Sequence, residues 1–355
     1  MKLWLPVLPA LMLVSQAQAG TVRVLLARQA SVELRSDESL VVTPRGATGQ
    51  WGEQAEVRGP LVAKPCAATV CAGSVRGTLI HVQTEAAALQ IGARRLPNEL
   101  SLSVEGGELR IIAELDIEVY LEGVLGREMS PGWPVEALKA QAVIARTFTY
   151  RRVSEGAGKA YDIQSTTADQ VFEWGRAAGN TIRTAVVETE GWIITVDGSP
   201  IEAFFHADSG GHTAGTQDVW DKASPGIEAR ADEYSLRQSW SVELDAGQDG
   251  DKLGVGRLKS ISIVERVGGG RAKRVEVRGS RATQKMSADQ FRGKLGYARV
   301  KSAMFEVRGL RLEGRGYGHG IGMSQTGAKK MAELGYDWQD ILDYYYPGTV
   351  LIPAE

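Results

Sequence analysis

The chain has 355 residues but only two cysteines, little net charge and no internal repeat or low-complexity tract. Two cysteines exclude a multi-bridge disulfide framework. No second Cys pair or nearby His completes a zinc site around Cys66 and Cys71. A net charge of −2 gives no bulk attraction to a polyanion, so we expect no nucleic-acid partner. Beyond the N-terminal segment, no stretch reaches the roughly 20 apolar residues of a membrane span. What is present is the composition of an ordinary globular protein, which names no function by itself.

The N-terminal segment sets the expected compartment. Met1-Lys2 is a short positive start, Leu3 to Val14 an apolar stretch, and Ala17-Gln18-Ala19 a small-residue cleavage pattern. The apolar stretch is only about a dozen residues and holds Pro6 and Pro9, too short and too broken for an anchor. We therefore expect a signal peptide over 1–19, cleavage after Ala19, and an exported protein of the periplasm or extracellular wall with no stable membrane span. In that compartment Cys66 and Cys71 read as a disulfide closing a small loop, stabilising by no more than ~3 kcal/mol.

The organisation suggests an α+β protein. Residues 20–112 read as a β-rich module, with strand-like Thr21 to Leu26 and alternating runs at Ile80 to Gln83 and Leu100 to Val104. His81 reads as a strand residue. The region 113–355 is expected to mix helices and strands around a β-rich subdomain at about 236–305. A helix is predicted from Ile117 to Leu125, then a turn holding Glu128 to Pro134, then a helix from Val135 to about Arg152. Gly268-Gly269-Gly270 marks a hairpin. Further helices are predicted from Ser324 to Leu334, ending at Gly335, and from Trp338 to Tyr346, capped by Asp337 and stopped by Pro347.

Three segments could carry chemistry: Glu128 and its surroundings, Phe204 to Thr213, and the glycine-rich run Gly314 to Gly322. The glycine run lacks the Gly-Lys-Ser/Thr ending of a phosphate loop and the βαβ context of a dinucleotide site, which removes nucleotide binding. A serine-hydrolase triad of Ser209, His206 or His212, and Asp208 has no support from adjacency, because triads assemble through folding. The nucleophile-elbow pattern G-x-S-x-G is also missing at Ser209.

Taken together these segments resemble a known family. Glu128-Met129, Pro131, the run Glu136-Ala137-Leu138-Lys139-Ala140-Gln141-Ala142-Val143, and Ala145-Arg146-Thr147 closely resemble the core motif of the SpoIID/LytB family. Ser209-Gly210-Gly211-His212-Thr213 looks like its second motif. Gly314 through Gln325, continuing by Gly327-Ala328 to Tyr345-Tyr346-Pro347-Gly348, looks like its C-terminal signature. The resemblance spans roughly Leu115 to Leu351 and covers the N-terminal module less clearly.

The resemblance implies cleavage of peptidoglycan glycan strands by lytic transglycosylation, with Glu128 in the place of the catalytic glutamate. One carboxylate suffices for that chemistry. Inverting glycosidases need a second carboxylate to activate water, and retaining ones a second as nucleophile. A lytic transglycosylase lets the C6 hydroxyl of N-acetylmuramic acid attack C1, and one acid/base of raised pKa can serve both proton transfers. Arg146, Gln141 and Lys139 occupy motif positions and are candidates to bind substrate or orient Glu128. Ser209, His212, Tyr317, His319 and Gln325 are candidates to line a saccharide groove with hydroxyl, imidazole, amide and aromatic groups. Some relatives carry a Cys/His metal site after the first helix, whereas Asp162 to Phe172 holds neither residue. We expect no metal and no cofactor. Peptidoglycan is the expected partner, with other cell-wall hydrolases as a further class. Two rival readings stand beside this one: a peptidoglycan-binding modifier of another hydrolase, and a hydrolase using water and Asp116 or Glu118.

Overall fold

The computed structural model describes residues 20–166, 169–175 and 179–354, so the expected signal peptide at 1–19 lies outside the described residues. The chain is a mixed α+β protein, 24% helical and 38% strand, as its patterning predicts.

Alternation, interrupted where a second face is also covered, builds the N-terminal sheet. In the strand Glu108–Asp116, Leu109, Ile111, Ala113 and Leu115 turn inward while Glu114 is exposed. Seven strands follow the order Ile163–Gln164, Thr21–Gln29, Glu108–Asp116, Glu99–Glu105, Leu79–Thr84, Leu40–Arg45, Ala55–Val57. Their pairings are antiparallel except that Ile163–Gln164 runs parallel to Thr21–Gln29. A smaller sheet of Val32–Leu34, Leu61–Cys66, Thr69–Ala72 and Val75–Gly77 packs beside it. Cys66 and Cys71 are bonded and close its central hairpin.

The strand Glu108–Asp116 feeds the first helix directly. Asp116 pairs with Thr21 in the sheet, and its carboxylate accepts from the backbone N–H groups of Glu118 (2.8 Å) and Val119 (3.2 Å). It thereby caps helix α1, Ile117–Glu128. This helix runs past the expected end at Leu125 and includes Glu128. It stops where Met129 turns extended, just before the residue that Pro131 restrains.

Helix α2, Val135–Glu155, is buried along almost its whole length, from Ala137 to Thr149, which explains its alanine content. It is followed by α3 (Asn180–Val187), α4 (Thr216–Trp220), α5 (Gln248–Lys252), α6 (Ala288–Leu295), α7 (Gln325–Glu333) and α8 (Trp338–Tyr345). Helices α1, α3, α7 and α8 pack around α2. One hydrophobic cluster runs from Val22 in the first strand to Tyr346 after α8, joining sheet and helices in a continuous core. A second cluster, from Trp240 to Leu312, belongs to the β-rich insertion. Helices α5 and α6 interrupt that insertion, where the sequence reading placed strands only. The capping box of Ser287 and Gln290 was a legible signal for α6. Among the described residues, no helix is long and apolar enough to cross a membrane.

Candidate active site

Glu128 owes its environment to helical periodicity. Ile117, Tyr120, Leu121, Val124 and Leu125 form the buried stripe of α1, and Glu128 is the next position on it. The carboxylate is therefore half-buried although it ends a helix. Behind it, Phe172 stacks on Tyr120 at 5.1 Å, and the Tyr120 hydroxyl donates to buried Gln170 at 3.2 Å. Burial raises the Glu128 carboxyl above the ordinary carboxylate range, opposed by the charge of Arg127. Among the described residues, its carboxylate has no hydrogen-bond or ion-pair partner, and no other acid acts on its titration.

Two amides brace this corner. Gln325, the first residue of α7, donates from Nε2 to the Glu128 backbone carbonyl (3.4 Å) and to Gln141 Oε1 (3.3 Å). Gln141 is 0% exposed, and among the described residues its own buried amide nitrogen has no partner. One turn further along α7, the Lys329 ammonium lies 5.4 Å from the ring of Trp133, in the loop that follows Glu128.

Ser209 is committed elsewhere. Its hydroxyl donates to Asp232 at 2.6 Å and accepts from the Gly211 N–H, while Tyr345 donates to the other Asp232 oxygen at 3.1 Å. The imidazoles of His206 and His212 instead face the carbonyls of Ile321 (3.0 Å) and Thr213 (2.7 Å). No triad forms at Ser209. The Ser209 N–H meets the hydroxyl of Ser324, the N-cap of α7, so this network fixes the helix that carries Gln325.

His212 supports the insertion's hairpin. A Cβ on Gly269, whose φ is +68°, would lie 2.3 Å from the His212 Cβ, so only glycine permits this approach. His319 accepts from the Ile321 N–H at 3.0 Å and packs against Trp220 and His206. Burial, with Arg292 and Arg271 nearby, pushes His319 down to about 3, which keeps it neutral at physiological pH. Tyr317 is 41% exposed, with the Lys301 ammonium 5.9 Å from its ring. It pairs through its backbone with Asp208, whose carboxylate accepts from Thr326 of α7.

Arg271 went unnoticed in the sequence. It enters from the insertion, is buried, and donates to the carbonyls of His319 (3.3 Å), Ser209 (3.1 Å) and His212 (3.1 Å). It thus ties the second and third motifs together. A Cβ on Gly320 (φ +88°) would lie 2.3 Å from its guanidinium, so the glycine-rich run serves close backbone packing. Burial lowers Arg271 to about 10, still charged at neutral pH.

Two motif residues on α2 stand away from Glu128's carboxylate. Arg146 is 0% exposed and forms a two-pronged pair with Glu118 at 2.7 and 2.6 Å. It also donates to the carbonyls of Trp192 and Val186, clamping α1, α2 and α3. Lys139 bridges Glu136 (2.8 Å) and Glu188 (2.6 Å). The segment from Asp162 does not suit a Cys/His metal set: its two acids, Asp162 and Asp169, pair with Arg23 and Arg152. A cavity of about 680 Å³ opens in the insertion beside Trp240 and Phe305, but no buried acid lines it. Among the described residues, Glu128 is a half-buried acid without a partner.

In sequence the chain is similar to known proteins. The profile of the stage II sporulation protein family matches residues 105–196. Stage II sporulation protein D of Bacillus subtilis is 31% identical over 266 residues, covering 69% of this chain and 76% of that protein. An uncharacterised protein of Brachyspira hyodysenteriae is 33% identical over 255 residues, 68% of each chain. The amidase enhancer of Bacillus subtilis is 28% identical over 288 residues, 65% of this chain and 40% of that protein. The chain belongs to the SpoIID/LytB family.

Proposed function

We propose that this protein cleaves peptidoglycan glycan strands by lytic transglycosylation after export, with Glu128 as its single acid/base. Family membership supports the coarser part, a role at the cell wall. The observation that carries the finer part is Glu128 itself: half-buried, raised in pKa by burial and free of any ion-pair partner among the described residues. A general acid holds its proton better the higher its pKa, and burial without a partner moves the Glu128 carboxyl in that direction.

In the proposed step, Glu128 donates its proton to the glycosidic oxygen as the C1–O bond of N-acetylmuramic acid breaks. The resulting carboxylate takes the proton of the C6 hydroxyl as that oxygen bonds C1. The products are a 1,6-anhydro end and a free 4-hydroxyl, and no water is consumed. A hydrolytic reading with Asp116 or Glu118 has less support. Both lie at the opposite end of α1, Asp116 capping it and Glu118 paired with Arg146. At 1.5 Å rise per residue, Glu118 is about 15 Å along the helix from Glu128, against the roughly 6.5–9.5 Å of inverting pairs.

The test is mass spectrometry of sacculi and of peptide-free glycan after incubation with purified protein. Anhydro-muramic ends, absent with Glu128→Gln, are expected. Reducing ends would replace this mechanism by hydrolysis. Binding with no cleavage of either substrate would refute it in favour of a modifier of another hydrolase, the role that the name of the amidase enhancer describes for that relative.

A further inference from the structure

The N-terminal module carries a concavity that the chemistry at Glu128 does not use. Val42, Ile80, Val82, Leu100 and Leu102 point into the core. Alternation therefore turns Thr43, His81 and Ser101 onto the opposite face, and the register aligns them in one row across three strands. Above that row opens a cavity of about 610 Å³, walled by the indole of Trp51 and reached by Gln54, Glu99 and Glu114. Its size falls within the roughly 300–1,000 Å³ of small-ligand sites.

Trp51 is 53% exposed, although a large aromatic side chain gains by burial. The Arg45 guanidinium lies 5.6 Å from its ring centroid on one side, and the edge of His81 approaches at 6.3 Å. Both neighbours are already engaged: Arg45 also donates to the Gly49 carbonyl at 2.8 Å, and His81 meets Glu99 at 2.8 Å. Among the described residues lining the cavity, an anionic ligand would find two carboxylates and no lysine or arginine. A pyranose fits this set. Its C–H face stacks on an open indole, its hydroxyl and acetamido N–H groups donate to Glu99 and Glu114, and Thr43, Ser101 and Gln54 supply the matching hydroxyl and amide groups.

We propose that this face is a second, non-catalytic saccharide site, binding a short uncharged oligosaccharide of the N-acetylhexosamine type by stacking on Trp51. The site holds the module on a glycan independently of cleavage at Glu128.

The test is 19F NMR of the full chain labelled with 5-fluorotryptophan, in which the Trp51 signal is the one missing from Trp51→Phe. The tetramer of N-acetylglucosamine is expected to shift that signal, with inorganic phosphate and a free acidic tripeptide leaving it in place. Glu128→Gln should not alter the shift. Trp51→Ala, with its far-UV circular dichroism unchanged, should bind the tetramer roughly ten-fold more weakly by isothermal titration calorimetry. A static Trp51 signal while other indoles respond to the tetramer would overturn the proposal, as would no response up to millimolar sugar. Movement of the Trp51 signal with the peptide or phosphate instead would do the same.

Discussion

Helix α1 carries a glutamate near each end, and the two differ in every respect that governs a carboxylate. Glu118 lies in the first turn, where the helix macrodipole favours negative charge, and it meets the buried guanidinium of Arg146 in two short hydrogen bonds. Glu128 lies at the last turn, where the dipole disfavours negative charge, half-buried and without a partner among the described residues. One helix thus separates a carboxylate that holds elements together from one that burial raises and, among the described residues, no partner engages. Pairing, more than burial alone, distinguishes them.

The comparison predicts unequal losses. Glu128→Gln should lower release of anhydro-muramic ends by about 10²–10⁴-fold, read by mass spectrometry, while binding to sacculi persists. Residual activity at the wild-type level would leave the C-terminal end of α1 without its assigned role. At the other end, Arg146→Ala should destabilise the fold by roughly 3–5 kcal/mol in urea unfolding, because it strands Glu118 against a packed interior. Replacing both partners, Glu118→Leu with Arg146→Met, should recover most of that loss, which would not happen if Arg146 acted on substrate alone.

Arg271 tests whether the pairing rule extends to the insertion. Among the described residues its partners are carbonyls and no carboxylate, so Arg271→Ala should cost about 1–3 kcal/mol for the carbonyls left unpaired. Asp116→Ala removes the N-cap of α1 and should cost about 1 kcal/mol, measured by thermal unfolding.

The smallest effect is a pH signature. A carboxyl raised in the folded state binds its proton more tightly there than when unfolded, so the wild type loses stability as pH rises through the Glu128 titration. Glu128→Gln lacks this penalty. Its melting temperature should exceed the wild type's at neutral pH and converge with it below the usual carboxylate range. A lower melting temperature for Glu128→Gln at neutral pH would mean that the ionised carboxylate has a stabilising partner.

Much of the fold was legible. Alternation marked the sheet strands around Ile80 and Leu100, and Pro134, Asp337 and Gly335 marked the ends of helices. The end of α1 was also readable, since the 3.6-residue period of Ile117, Tyr120, Val124 and Leu125 places Glu128 on the same stripe, inside the helix instead of after it. The partners of the candidate residues were not. Arg146 finds Glu118 across a helix packing, Ser209 finds Asp232 in a distant loop, and His212 finds a glycine turn in the insertion. None of these pairings follows from local spacing, and Arg271, in the charged run Arg271-Ala272-Lys273-Arg274, has no local sign of burial.

By itself, then, the sequence determined the α+β class, the family and the acid to test first, because these depend on periodicity and on motifs read along the chain. Only the tertiary structure decided which of the motif's polar groups remain free. Whether a charged side chain is clamped, like Arg146, or, among the described residues, left without a partner, like Glu128, depends on what the folded chain brings against it from elsewhere.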